Sequence, residues 1–77
     1  MIKEHARIVL TSDLPEEDLK VGDVGTVVYG HREGDAFEIE FVALDGDTVA
    51  AATVRASPVR AVTPRDIAHA RHREIAV

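Results

Sequence analysis

The stretch Val21-Gly22-Asp23-Val24-Gly25-Thr26-Val27-Val28-Tyr29 places two glycines, three apart, around an acid immediately ahead of a β-branched run. Gly22-Asp23 has the chemistry of a tight turn with positive φ at the glycine. Val24 to Tyr29 then has the composition of a strand. Gly25 inside that strand predicts a bulge or a close backbone approach, the usual means of bending a small sheet.

The same rhythm extends in both directions. His5 to Thr11, with Ile8, Val9 and Leu10 at its centre, reads as a first strand. Between it and the glycine turn, Ser12 to Lys20 contains Pro15 and four acids, which exclude a paired strand. This segment is expected to be a long loop tucked onto the core through Leu14 and Leu19. Downstream, Arg32-Glu33-Gly34-Asp35 forms a turn, and Phe37, Ile39 and Phe41 alternate with Glu38 and Glu40, the pattern of a half-buried antiparallel strand. Asp45-Gly46-Asp47 supplies a hairpin turn into a strand from Thr48 to Arg55. Ser57-Pro58 interrupts pairing before a short fifth strand, Val59 to Val62. Five short strands with tight turns predict an all-β domain, a small SH3-like barrel over residues 1–63. An oligonucleotide-binding barrel has a similar strand count but normally longer strands and an added helix.

Residues 64–77 differ in character. Thr63 as N-cap, Pro64 at the first helical position and Asp66 at the third predict a C-terminal helix. Its apolar stripe is thin, Ile67, Ala70 and Ile75, so this helical tail needs a surface to lie against.

Composition bounds the function. A chain of 77 residues closes one core. Without cysteine it has no disulfide, thiolate metal site or cysteine nucleophile. A net charge of −5 argues against general nucleic-acid or anionic-membrane binding. The N-terminus, Met1-Ile2-Lys3-Glu4-His5, lacks the apolar run of a signal peptide, so a cytoplasmic protein is expected. The charge is also divided. Residues 1–54 hold twelve acids against four basic residues, net −8, whereas residues 55–77 hold five arginines against two acids, net +3. Such a split fits a tail folded onto its own barrel, a head-to-tail contact with another copy, or an ordinary solvated tail.

Catalytic patterns are thin. Ser12 and Ser57 lie in no nucleophile elbow. Glu38 and Glu40, about 6.5 to 7 Å apart on one strand face, have the spacing of acid–base pairs but read as the wet side of an alternating strand. Asp45-Gly46-Asp47 is a fragment of a calcium loop without its closing glutamate. His69 and His72 would share a face of the tail helix without a third ligand. The glycine turn is similar to those of translation-type SH3-like barrels, yet it has only Lys20 amid acids where RNA binding needs basic and aromatic groups. The reading is therefore of no enzyme, no cofactor and no metal.

The ordered series Ile8-Val9-Leu10-Thr11-Ser12-Asp13-Leu14-Pro15, Leu19-Lys20-Val21-Gly22-Asp23-Val24-Gly25-Thr26-Val27-Val28, Phe37-Glu38-Ile39-Glu40-Phe41, Leu44-Asp45-Gly46 and Val59-Arg60 resembles the small bacterial domain-of-unknown-function family 4926, from about residue 3 to residue 66. The resemblance implies a stand-alone SH3-like barrel, encoded beside other small proteins in a setting like that of toxin–antitoxin or immunity pairs. It implies no catalytic or binding residue. The expected function is a non-catalytic protein-interaction module, an antitoxin- or immunity-like partner of a small basic protein. The expected contacts are Asp13, Glu16, Glu17 and Asp18 of the long loop with Tyr29, Glu38 and Glu40. The alternative is a self-assembling structural protein that oligomerises through residues 64–77.

Overall fold

The computed structural model describes residues 2–31 and 34–73. Its strands are β1 (Arg7–Leu10), β2 (Val24–Gly30), β3 (Ala36–Val42), β4 (Thr48–Arg55) and β5 (Val59–Ala61). They form one antiparallel sheet in the order β4-β3-β2-β1-β5. The fold is all-β, with the five strands expected of an SH3-like barrel and, apart from the long loop between β1 and β2, short connections. Among the described residues no ladder joins β4 to β5, so the sheet is bent but its seam stays open. No helix among them is long and apolar enough to cross a membrane.

Alternation determines which face is dry. Phe37, Ile39 and Phe41 of β3 are buried, while Glu38 and Glu40 between them are half-exposed. Ile8 and Leu10 of β1, Val27 of β2, Ala52 and Val54 of β4 and Val59 of β5 complete the core, with Leu19 from the long loop. Each fully buried aliphatic or aromatic side chain contributes about 1.5 to 3 kcal/mol. With no buried polar residue among those described, hydrophobic burial dominates this part of the molecule.

The bending devices differ slightly from expectation. Gly25 is the close approach: it pairs in register with Ile8 and Phe41, and a β-carbon there would lie 2.5 Å from Ile39 Cγ2 and 3.0 Å from the Glu40 carbonyl oxygen. The register shifts fall elsewhere, between Val27 and Tyr29 on β2 and between Phe41 and Val42 on β3.

The loop after β1 is pinned as well as tucked. Leu14 and Leu19 exchange backbone hydrogen bonds of 2.9 and 3.1 Å around a 3-10 turn at Pro15–Glu17. The Val21 amide donates to Asp13 Oδ1 at 2.8 Å, and the Lys20 amide to Asp23 Oδ2 at 2.9 Å. Gly22, at φ +94°, turns the chain into β2. In the β3–β4 connection, Asp47 donates its amide to Asp45 Oδ1 at 2.9 Å around Gly46 at φ +93°, which is the expected hairpin turn.

The expected helix from residue 64 is absent over residues 64–73, while residues 74–77 lie outside the described part. Its first turn does form. The Asp66 amide donates to the Thr63 carbonyl at 3.1 Å, and the Asp66 carboxylate accepts the Thr63 amide at 2.7 Å. Arg60 clamps that carboxylate with two hydrogen bonds, of 2.7 and 3.0 Å. The Arg60 hydrogen bonds, followed by the Thr63 amide, hold the Asp66 carboxyl well below the usual carboxylate range. Propagation stops because Ile67, 84% exposed, finds no apolar surface, and a helix this short is unstable without one. The arginines beyond it find polar partners that an extended chain reaches.

Candidate functional site

Besides the Arg60–Asp66–Thr63 turn, two clusters of polar groups hold side chains from distant parts of the chain. One is the junction of the long loop, the glycine turn and the tail; the other is the wet face of β2, β3 and β4.

At the junction the chain binds its own arginines. Arg71 meets Asp23 side-on: Nε donates to Oδ1 at 2.8 Å and Nη2 to Oδ2 at 2.6 Å. Two parallel charge-assisted bonds of this kind give both strength and orientation. Arg71 Nη2 also approaches the Asp18 carbonyl at 3.3 Å. Arg73 donates Nη1 to the Val49 carbonyl at 2.7 Å, Nη2 to the Glu17 carbonyl at 3.2 Å and Nε to the Asp18 carbonyl at 3.4 Å. Its Nε lies 3.7 Å from the Asp18 carboxylate. Asp18 can present its carbonyl in this way because it ends the 3-10 turn in the left-handed conformation, φ 56°.

The Asp23 side chain is 17% exposed. Burial pushes its pKa upward, but the Arg71 hydrogen bond, the Lys20 amide and the charges of Arg71 and Arg73 outweigh that, leaving it below the ordinary value. Arg71 is correspondingly raised, chiefly by its hydrogen bonds to Asp23. Beside this contact lies a groove of about 870 Å³. Its apolar wall includes Val21, Val24, Phe41 and Leu44, and residues 69–73 of the tail form another side. Leu44 is 99% exposed.

On the wet face, β-sheet register sets Tyr29 opposite Glu38 and Glu38 opposite Thr53. His31 Nε2 lies 2.6 Å from Glu38 Oε2, and the Thr53 hydroxyl donates to the same carboxylate at 2.8 Å. The His31 hydrogen bond, then that of Thr53, lowers the Glu38 pKa. Tyr29 packs edge to face on His31 with ring centroids 5.5 Å apart. Glu40 stands one row along, between Thr26 and Ala51.

The seven residues expected to form one contact surface thus divide. Asp13, Glu16, Glu17 and Asp18 share the loop, but the Asp13 carboxylate is committed to the Val21 amide, and Glu17 and Asp18 contribute backbone carbonyls to the tail. Tyr29, Glu38 and Glu40 belong to the sheet face. Sequence reading missed Asp23, taken only as a turn residue, and also Arg71, Arg73, His31 and Thr53. The −8/+3 charge division was the one available signal that body and tail attract. His69 and His72 do not share a helix face, because that segment is not helical; both border the groove.

The family model described as a domain of unknown function, DUF4926, matches residues 4–61. The chain belongs to the DUF4926 family. No curated protein and no solved structure matches it. The DUF4926 match spans β1 to β5, so it contains Asp23, Glu17, Asp18 and Val49; Arg71 and Arg73 lie beyond its end.

Proposed function

We propose that this DUF4926 chain is a non-catalytic protein-interaction module whose acidic domain binds a basic partner protein, in the manner of an antitoxin or immunity protein that neutralises a small basic protein. The observation that supports this reading is the cluster of acceptors around Asp23, which already receives two guanidinium groups. A domain carrying net −8 over residues 1–54 would steer a basic partner to that surface and discriminate against acidic ones. The reading takes the chain to act in the bacterial cytoplasm, consistent with its lack of cysteine.

The test is native capture on the tagged full chain at low and physiological salt, followed by mass determination of what is retained. The reading expects one basic protein at stoichiometric ratio, with association slowed by salt; recovery of no stoichiometric partner contradicts it. A second reading, self-assembly through residues 64–77, has one observation in its favour. Arg71 and Arg73 bind groups at the surface of the loop and β4, so the same contacts could form between copies. Light scattering on the full chain separates the two, since the second reading requires a mass above 8.4 kDa.

A further inference from the structure

The tail contact is more specific than charge attraction between an acidic body and a basic end. Asp23 engages Arg71 through both carboxylate oxygens and both Nε and Nη2, a planar match that a lysine ammonium cannot make. Arg73, two residues on, is held by three backbone carbonyls, those of Glu17, Asp18 and Val49. The Glu17 and Asp18 carbonyls sit in a loop fixed by the Leu14–Leu19 bridge and the Asp13–Val21 bond, and the Val49 carbonyl sits in β4, so all three keep their positions whatever occupies them. The acceptors all lie within the DUF4926 match, whereas the arginines lie outside it. The receptor and its occupant therefore belong to different parts of the chain.

We infer that this cradle is a recognition site for an extended Arg-x-Arg segment of a partner protein, and that the chain's own Arg71-His72-Arg73 occupies it as an internal competitor. The inference rests on the interaction reading above and adds the ligand class and its regulation. The groove wall of Val21, Val24 and Leu44 beside the cradle favours a partner segment with small or apolar residues flanking its arginines, as Ala70 flanks Arg71. A tethered tail competes at an effective concentration on the order of millimolar. A partner must exceed that competition, so weak basic sequences are excluded and the site opens only to a segment with better contacts or a second point of attachment.

The test uses a fluorescent peptide with the sequence of residues 66–73, Asp-Ile-Ala-His-Ala-Arg-His-Arg, titrated by anisotropy against three full-length proteins. The R71A/R73A chain, its own competitor removed, is expected to bind the peptide at least about tenfold more tightly than wild type. Adding D23N to that variant should weaken binding several-fold, as should replacing the peptide's first arginine with lysine. Equal affinity of wild type and R71A/R73A, or indifference to D23N, overturns the inference. If R71A/R73A does not fold by circular dichroism, the wild-type chain is titrated with unlabelled peptide and followed by NMR. Movement of its own Ala68 and Ala70 amides to random-coil positions supports the inference, and no movement at millimolar peptide overturns it. These outcomes do not depend on any cellular partner, so failure here is distinct from failure of native capture.

Discussion

The β2–β3–β4 part of the sheet and the C-terminal strap are both ordered, but by different physics. The sheet excludes water over Val27, Phe37, Ile39, Phe41 and Val54 and has no buried polar residue. The strap buries little that is apolar and relies on two guanidinium groups, the carboxylates of Asp23 and Asp18 and three carbonyls at partly exposed positions. Hydrophobic burial is worth kilocalories per residue, whereas partly exposed ion pairs contribute about 1 kcal/mol or less. The sheet should therefore set global stability, and the strap should come and go on top of it.

The largest effect is expected from Ile39→Ala at the centre of β3. Ile39 is 1% exposed, and such truncations cost about 2 to 5 kcal/mol. Urea denaturation should show most of this small domain's stability lost; a cost under 1 kcal/mol would mean the sheet is not the stabilising part. Gly25→Ala comes next. Its methyl would collide with Ile39 Cγ2 and the Glu40 carbonyl, prising β2 from β3 at a cost of about 1 to 3 kcal/mol, again read by denaturation.

Asp23→Asn should leave global stability within about 1 kcal/mol while freeing the strap, so trypsin should cleave after Arg71 several-fold faster than in wild type with the sheet intact. Acid should act in the same way. Because the folded pKa of Asp23 is depressed below its ordinary 3.8, its contribution is present above that pH and is lost as pH falls through the lower, folded value. The strap should hold at pH 5 and release on acidification below 3.8, as read from the NMR signals of residues 67–73; release near pH 6 would assign the latch to another group. Glu38→Gln, on the exposed ladder with His31 and Thr53, should produce no resolvable change in the denaturation midpoint.

The same contrast explains how much could be read in the sequence. Alternation in Phe37-Glu38-Ile39-Glu40-Phe41 and the glycine turns reflect local chemistry, so strands, turns and core faces were legible residue by residue. The tail was legible only in its first turn, where Thr63 and Asp66 do form the expected hydrogen bonds on either side of Pro64. Whether a helix continues past Asp66 depends on what lies opposite, and the partners of Arg71 and Arg73 are 24 to 56 residues away in sequence. Three of those partners are backbone carbonyls, which every residue has. No spacing pattern marks them, and only the division of charge hinted that the two ends would meet. Asp23 illustrates the limit: one residue is both the turn former that the sequence announces and the arginine receptor that it does not.

The decisive comparison is between ¹⁵N spectra of wild type and Asp23→Asn full-length chains, recorded over the arginine Nε–H region and the backbone amides. One Arg71 Nε–H signal should be protected from exchange in wild type and lost in the variant, with sheet amides unmoved. An Arg71 signal that exchanges like free arginine in the wild-type chain, or a sheet that rearranges along with it in the variant, would contradict the account.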